Sequence, residues 1–225
     1  TALRSVPTRR LWRDPQGQLS LGVTTLFWGS GATMRLIVLD WAIIWLSFNL
    51  EQATRLIAIV AFGTAFGAVI AGKYVQLRQA FKVLPAGILM GGLVVSMLFV
   101  HNVYLASVLM FLVGALGGFF VVPLNAMLQH RGHLLMGAGH SIAVQNFNEN
   151  LGILVMVGAH ALLVKYFSSP VSADAAPVVI DYFSKTGGMP PMYAIVAGFG
   201  AMLGLVMLGI TLIHWLRVKR GELHT

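Results

Sequence analysis

Long apolar runs alternate with short polar ones along this chain. Runs long enough to cross a hydrocarbon core of about 30 Å, which takes roughly 20 helical residues, fall at residues 19–48, 53–72, 83–100, 103–128, 141–167 and 190–216. Lipid offers no partner to a free backbone amide or carbonyl, so a spanning segment is either a helix or a strand of a closed barrel. These runs lack the roughly ten-residue apolar/polar alternation of barrel strands. The pattern therefore predicts an all-α membrane protein with six transmembrane helices.

The connections near residues 49–52 and 101–102 are very short, so the first and second spans, and the third and fourth, are expected to be antiparallel neighbours. The connection SSPVSADAAPVVIDYFSKTGGMP, rich in Ser, Pro and Gly, reads as a surface loop with room for one short helical turn. Pro123 removes a backbone donor near the end of the fourth span, where a kink or an early stop is expected. Gly63 and Gly67, Gly114 and Gly118, and Gly200 and Gly204 recur at four-residue spacing, and read as packing glycines that let helix backbones approach closely.

Basic residues set the orientation. Arg4, Arg9, Arg10 and Arg13 precede the first span, Lys73, Arg78 and Lys82 separate the second from the third, Arg131 precedes the fifth, and Arg217, Lys219 and Arg220 follow the sixth. All of these fall on one side, and only Arg55, Lys165 and Lys185 fall on the other. By the positive-inside rule both termini are expected in the cytoplasm. The domain reading is a cytoplasmic basic linker over residues 1–18, a bundle over 19–216 and a cytoplasmic basic tail over 217–225.

Composition agrees, with 57% hydrophobic and 10% charged residues and a mean hydropathy of +0.81, far from the roughly 25% charged residues of soluble domains. The net charge of +8 is accounted for by the loops, so nucleic acid is not an expected partner. The absence of cysteine excludes disulfides and a thiolate nucleophile. The chain begins at Thr1, and its basic first residues lack the apolar core of a signal peptide, as expected of a piece of a longer polypeptide.

Three ionisable groups lie within spans: Arg35 and Asp40 in the first and Glu149 in the fifth. Each costs about 2.5 to 3.5 kcal/mol at a span centre on an insertion scale, so such groups usually face a bundle interior or an aqueous cavity. At about 1.5 Å per residue Arg35 lies about 24 Å along its span, past the middle, and Asp40 follows roughly 140° further round. Asp40 is read equally well as a functional group or as an interfacial one. The stretch AVQNFNENLG, residues 143–152, places Gln145, Asn148, Glu149 and Gly152 on one face about 12 Å from the inner end, with Asn146 and Asn150 on an adjoining face. Helix-to-helix hydrogen bonding would explain the amides alone; an ionisable Glu among them points to a pathway or gate. Arg35 and Glu149 come from opposite halves of the bilayer, so separate partners are expected, with none available in this chain.

His130, His133 and His140 surround Arg131 in the apparent loop LQHRGHLLMGAGH, without a nearby carboxylate or thiolate to complete a metal site. There is no phosphate-binding loop, catalytic triad or paired-carboxylate arrangement. An enzyme is not expected, nor is a cofactor or metal.

At TLFWGSGATMRLIVLDWA, AGKYVQLRQAFKVLPAGILMG, GGFFVVPLNAMLQHRGH and GAGHSIAVQNFNENLG, four stretches in order across the first five spans, the chain resembles the lysophospholipid transporter (LplT) branch of the major facilitator superfamily. The superfamily's acidic loop is degenerate, with Gln76 in place of the acid. The resemblance implies one half, helices 7 to 12, of a twelve-helix fold with a central cavity between two six-helix halves. The amino-terminal half, absent from this chain, would supply charged partners for Arg35 and Glu149. The implied activity is movement of lysophospholipids such as lysophosphatidylethanolamine from the outer to the inner leaflet of a bacterial inner membrane, where a cytoplasmic acyltransferase/acyl-ACP synthetase reacylates them. The superfamily's architecture adds Asn125 and Gln129 as weaker candidates for an inner gate, alongside Asn150. Two alternatives remain: a proton-coupled exporter of small amphipathic compounds on the same fold, with Glu149 as proton carrier, and an inactive truncated fragment or scaffold.

Overall fold

The computed structural model of the chain describes residues 14–221. The linker arginines Arg4, Arg9, Arg10 and Arg13, and residues 222–225 of the tail, lie outside the described residues. Seven α-helices follow in order: α1 (Pro15–Leu46), α2 (Leu50–Tyr74), α3 (Leu84–Ser96), α4 (Val103–Met136), α5 (Ala138–Phe167), α6 (Pro177–Thr186) and α7 (Met192–Lys219). Short 3-10 turns flank α3 and extend that crossing to Leu77–Phe99. Among the described residues six segments are long and apolar enough to span a membrane, namely α1, α2, α3 with its turns, α4, α5 and α7. The chain is an all-α membrane protein with six crossings.

Helix boundaries depart from the sequence expectation where capping or packing extends a helix. The Asp14 carboxylate accepts the Gly17 amide at 2.7 Å, with Pro15 opening the helix, so α1 includes residues 15–18, which the sequence reading gave to the linker. At the other end α7 runs through Lys219, into the expected tail. Pro123 does not stop α4, which continues to Met136; the proline is buried, and packing on both sides of it outweighs one lost backbone bond. The stretch around His130 and His133 is consequently helix rather than loop. Gly137 alone separates α4 from α5, at a φ of 82° that favours glycine.

The helices joined by short connections, α1 with α2 and α3 with α4, do touch, as expected of neighbours, but other pairs share more surface. The broadest contacts pair α2 with α4, α3 with α7 and α1 with α5. Glycine explains each pairing. A Cβ at Gly63 or Gly67 would overlap the carbonyls of Phe111 and Ala115, and one at Gly114 or Gly118 those of Val60 and Thr64. Gly91 meets Gly200 and Gly204 in the same manner, and Gly29 and Gly152 bring α1 onto α5. Without a hydrophobic driving force between helices in lipid, close backbone approach selects the partner.

The two ends of the bundle are tied differently. At the end away from the chain termini, the fully buried Trp41 indole donates to the Met97 carbonyl at 3.0 Å. The expected surface loop here holds a ten-residue helix, α6, longer than one turn, with Val179 and Phe183 set into the core. Ser169 and Met189 exchange backbone bonds of 3.0 and 2.8 Å across its base.

At the terminal end Arg131 of α4 donates from Nε and one terminal guanidinium nitrogen to the two Asp14 oxygens, at 3.1 and 2.5 Å, and Arg217 of α7 donates to Gln18 at 3.3 Å. The Asp14 side chain is 13% exposed and that of Arg131 30%. A double-mutant cycle with Asp14→Asn and Arg131→Ala is expected to return a coupling of about 1 to 2 kcal/mol in thermal unfolding, more than an exposed pair gives. Additivity of the two changes would contradict this bridge.

Candidate transport site

The α5 helix is the least covered crossing, with 6% of its most apolar window buried against 22–50% in the others. What it does bury is mostly polar: Ser141, Gln145, Glu149 and His160, with Val144 the one apolar residue among them. Meanwhile Phe147, Leu151, Leu154 and Val155 are exposed. Its polar face points into the bundle and its greasy face points out, the inverse of a soluble amphipathic helix.

On that inner face the Gln145 amide donates to Glu149 at 2.8 Å and to Asn125 of α4 at 2.7 Å. Gln145 and Glu149 are 6% and 9% exposed. The Trp28 side chain of α1 also faces the Glu149 carboxylate. Three helices thus converge on one carboxylate. Gly132, which leaves room for Ser141, allows α4 and α5 to approach closely enough for Asn125 to join. Within the chain the Gln145 amide and the Trp28 indole face Glu149, and no opposite charge pairs with it among the described residues.

The remaining candidates separate. Asn148 and Asn150 donate to the carbonyls of Val144 and Asn146 on their own helix, at 2.8 and 2.7 Å. Asn146 and Asn150 are exposed beside Phe147, and Gln129 is exposed one turn beyond Asn125. Arg35 is exposed on α1 and makes no ion pair with Glu149. His130, His133 and His140 lie exposed around the α4–α5 junction. No three His, Asp or Glu side chains among the described residues are grouped to hold a metal.

Asp40 instead lines a cavity of about 500 Å³ between α1, α5 and α6, with His160, Lys165, Ser168 and Tyr182. Burial, then the negative charge of Asp40, raises the Tyr182 phenol above its ordinary value. Sequence reasoning missed Trp28 and His160. An imidazole within the apolar run MVGAHALLV was the available signal for the second; nothing local marked the first.

No family model matches the chain, and no solved structure matches it. Curated relatives named lysophospholipid transporter LplT do. The protein of Yersinia enterocolitica is 44% identical over 156 residues, 69% of this chain and 39% of its own length. That of Pectobacterium carotovorum is 46% identical over 158 residues, 70% and 39%, and that of Yersinia pestis 43% over 166 residues, 73% and 41%. The chain spans about two fifths of the length of these relatives. With six crossings and identity at this level along most of its length, the chain belongs to the lysophospholipid transporter family.

Proposed function

We propose that this chain is the second six-helix half of a twelve-helix major facilitator transporter that moves lysophospholipids, of the lysophosphatidylethanolamine type, from the outer to the inner leaflet of a bacterial inner membrane. Both termini are then cytoplasmic, and a cytoplasmic acyltransferase/acyl-ACP synthetase consumes the delivered lipid. The observation that carries this reading is the inverted face of α5, where a carboxylate and two amides line the interior and Phe, Leu and Val line the exterior. A single-chain lipid needs a polar route for its headgroup and an apolar slot for its tail, and such a helix offers both.

Two further features favour a second half docked on this one. The Asn146 side chain is exposed on a spanning helix with no hydrogen bond to another described residue, where lipid satisfies no amide. Arg35 is exposed within a span, where an unpaired guanidinium costs about 2.5 to 3.5 kcal/mol at the centre. An acidic side chain from the amino-terminal half would meet Arg35, and a polar one would cover Asn146.

Uptake of labelled lysophosphatidylethanolamine into spheroplasts carrying the full-length protein tests this. Uptake above protein-free controls, persisting after collapse of the proton gradient, is expected. No uptake would overturn the lipid reading. Uptake that vanishes with the gradient would favour a proton-coupled carrier, with Glu149 exchanging the proton.

A further inference from the structure

We infer that the cavity between α1, α5 and α6 is a second polar site, separate from the Glu149 cluster, that receives the zwitterionic phosphate–ammonium headgroup of a single-chain phospholipid. His160 lies eleven residues beyond Glu149 on α5, about 16 Å along the helix axis. The two sites therefore occupy opposite halves of the crossing.

The size and the chemistry of the lining agree with such a ligand. About 500 Å³ lies within the usual range of small-molecule sites. Asp40 supplies a negative charge and Lys165 a positive one, from different helices. Neither is neutralised by its neighbours: Lys185 is bound to Asp181 at 2.6 Å, and the Lys165 ammonium rests over its own neighbour Tyr166 at 5.4 Å. Tyr182 of α6 lines the same cavity opposite the helix that carries Asp40.

One hydroxyl in the lining, that of Ser168, is buried without a partner among the described residues. The largely buried His160 imidazole lines the same cavity. Buried polar groups in folded proteins are almost always satisfied, by protein, water or ligand. A phosphate accepting from Lys165, Ser168 and His160, with its ammonium on Asp40, would engage all four.

The inference rests on the lysophospholipid reading for the tail, but its test is binding rather than transport. Equilibrium binding of labelled lysophosphatidylethanolamine, lysophosphatidylglycerol and soluble glycerophosphoethanolamine is measured on the purified full-length protein in detergent. Asp40→Asn, an isosteric change, is expected to weaken both ethanolamine ligands about tenfold or more and lysophosphatidylglycerol less than about twofold. Lys165→Gln is expected to weaken all three, because the phosphate is common to them.

An Asp40→Asn protein that binds every ligand as wild type does, or loses all equally, overturns the inference. So does a wild type that binds none. Transport in spheroplasts without headgroup discrimination at Asp40 would sink the cavity and leave the function standing. Discrimination in binding without any transport would do the reverse.

Discussion

Glu149→Ala in the full-length protein is expected to reduce lysophosphatidylethanolamine uptake to about a tenth of wild type or less, with insertion into the membrane unchanged. The carboxylate accepts from Gln145, which in turn holds Asn125 on a different helix. Removing it takes away the charge and loosens the link between α4 and α5. Hydrogen bonds to charged groups contribute about 1.5 to 3 kcal/mol, which corresponds to roughly ten- to a hundredfold in affinity. Arg35→Ala is expected to act as strongly and for a different reason, because it strips a cation from the exposed side of α1 without touching the Glu149 cluster. Two comparisons separate charge from packing. Glu149→Gln keeps a hydrogen-bonding amide in place, so loss of uptake in that variant assigns the role to the charge. Asn150→Ala breaks only a bond within α5 and is expected to stay within about twofold of wild type. Full transport by Arg35→Ala and Glu149→Ala together would remove the cluster from the pathway.

Gly67→Val is expected to destabilise the protein by about 3 kcal/mol or more, seen as a lower unfolding temperature and loss of the monodisperse species in detergent. The backbones of α2 and α4 meet at this residue, and a Cβ there would overlap the Ala115 carbonyl and Cα. Backbone cannot swing aside as a flexible side chain can, so the crossing must open. Overpacking a core typically costs about 1 to 3 kcal/mol, and a clash with main chain lies at the upper end. Gly72→Ala in the same helix meets nothing within 4 Å and is expected to be neutral or slightly stabilising, within about 1 kcal/mol. Equal behaviour of the two variants would show that α2 and α4 are held by something other than glycine contact.

Those same glycines mark how far the sequence can be read. The four-residue spacing of Gly63 and Gly67, and of Gly114 and Gly118, announces a close approach, and the structure sets the two motifs against each other. What spacing along one helix cannot name is the partner. Periodicity likewise placed Gln145 and Glu149 on one face, where they are found hydrogen-bonded. The six crossings were legible because an apolar run of roughly 20 residues in a polar-poor chain has few alternatives.

The failures have physical causes as well. Histidine, arginine and glycine near residue 131 look like loop, yet α4 keeps its helix there because Arg131 reaches Asp14, 117 residues away in sequence. A polar side chain committed to a distant partner has the same local composition as one committed to water. The cavity at Asp40 was hidden for a related reason, since it exists only once α6 folds back over the ends of α1 and α5.

Reconstitution of the purified full-length protein into proteoliposomes, with labelled lysophosphatidylethanolamine added outside, tests the central claim most directly. The lipid that becomes resistant to extraction by external albumin is counted over time. The account predicts protein-dependent protection of the label, faster than in protein-free vesicles and lost in Glu149→Ala. Protection at the protein-free rate, or an undiminished rate in Glu149→Ala, would contradict it.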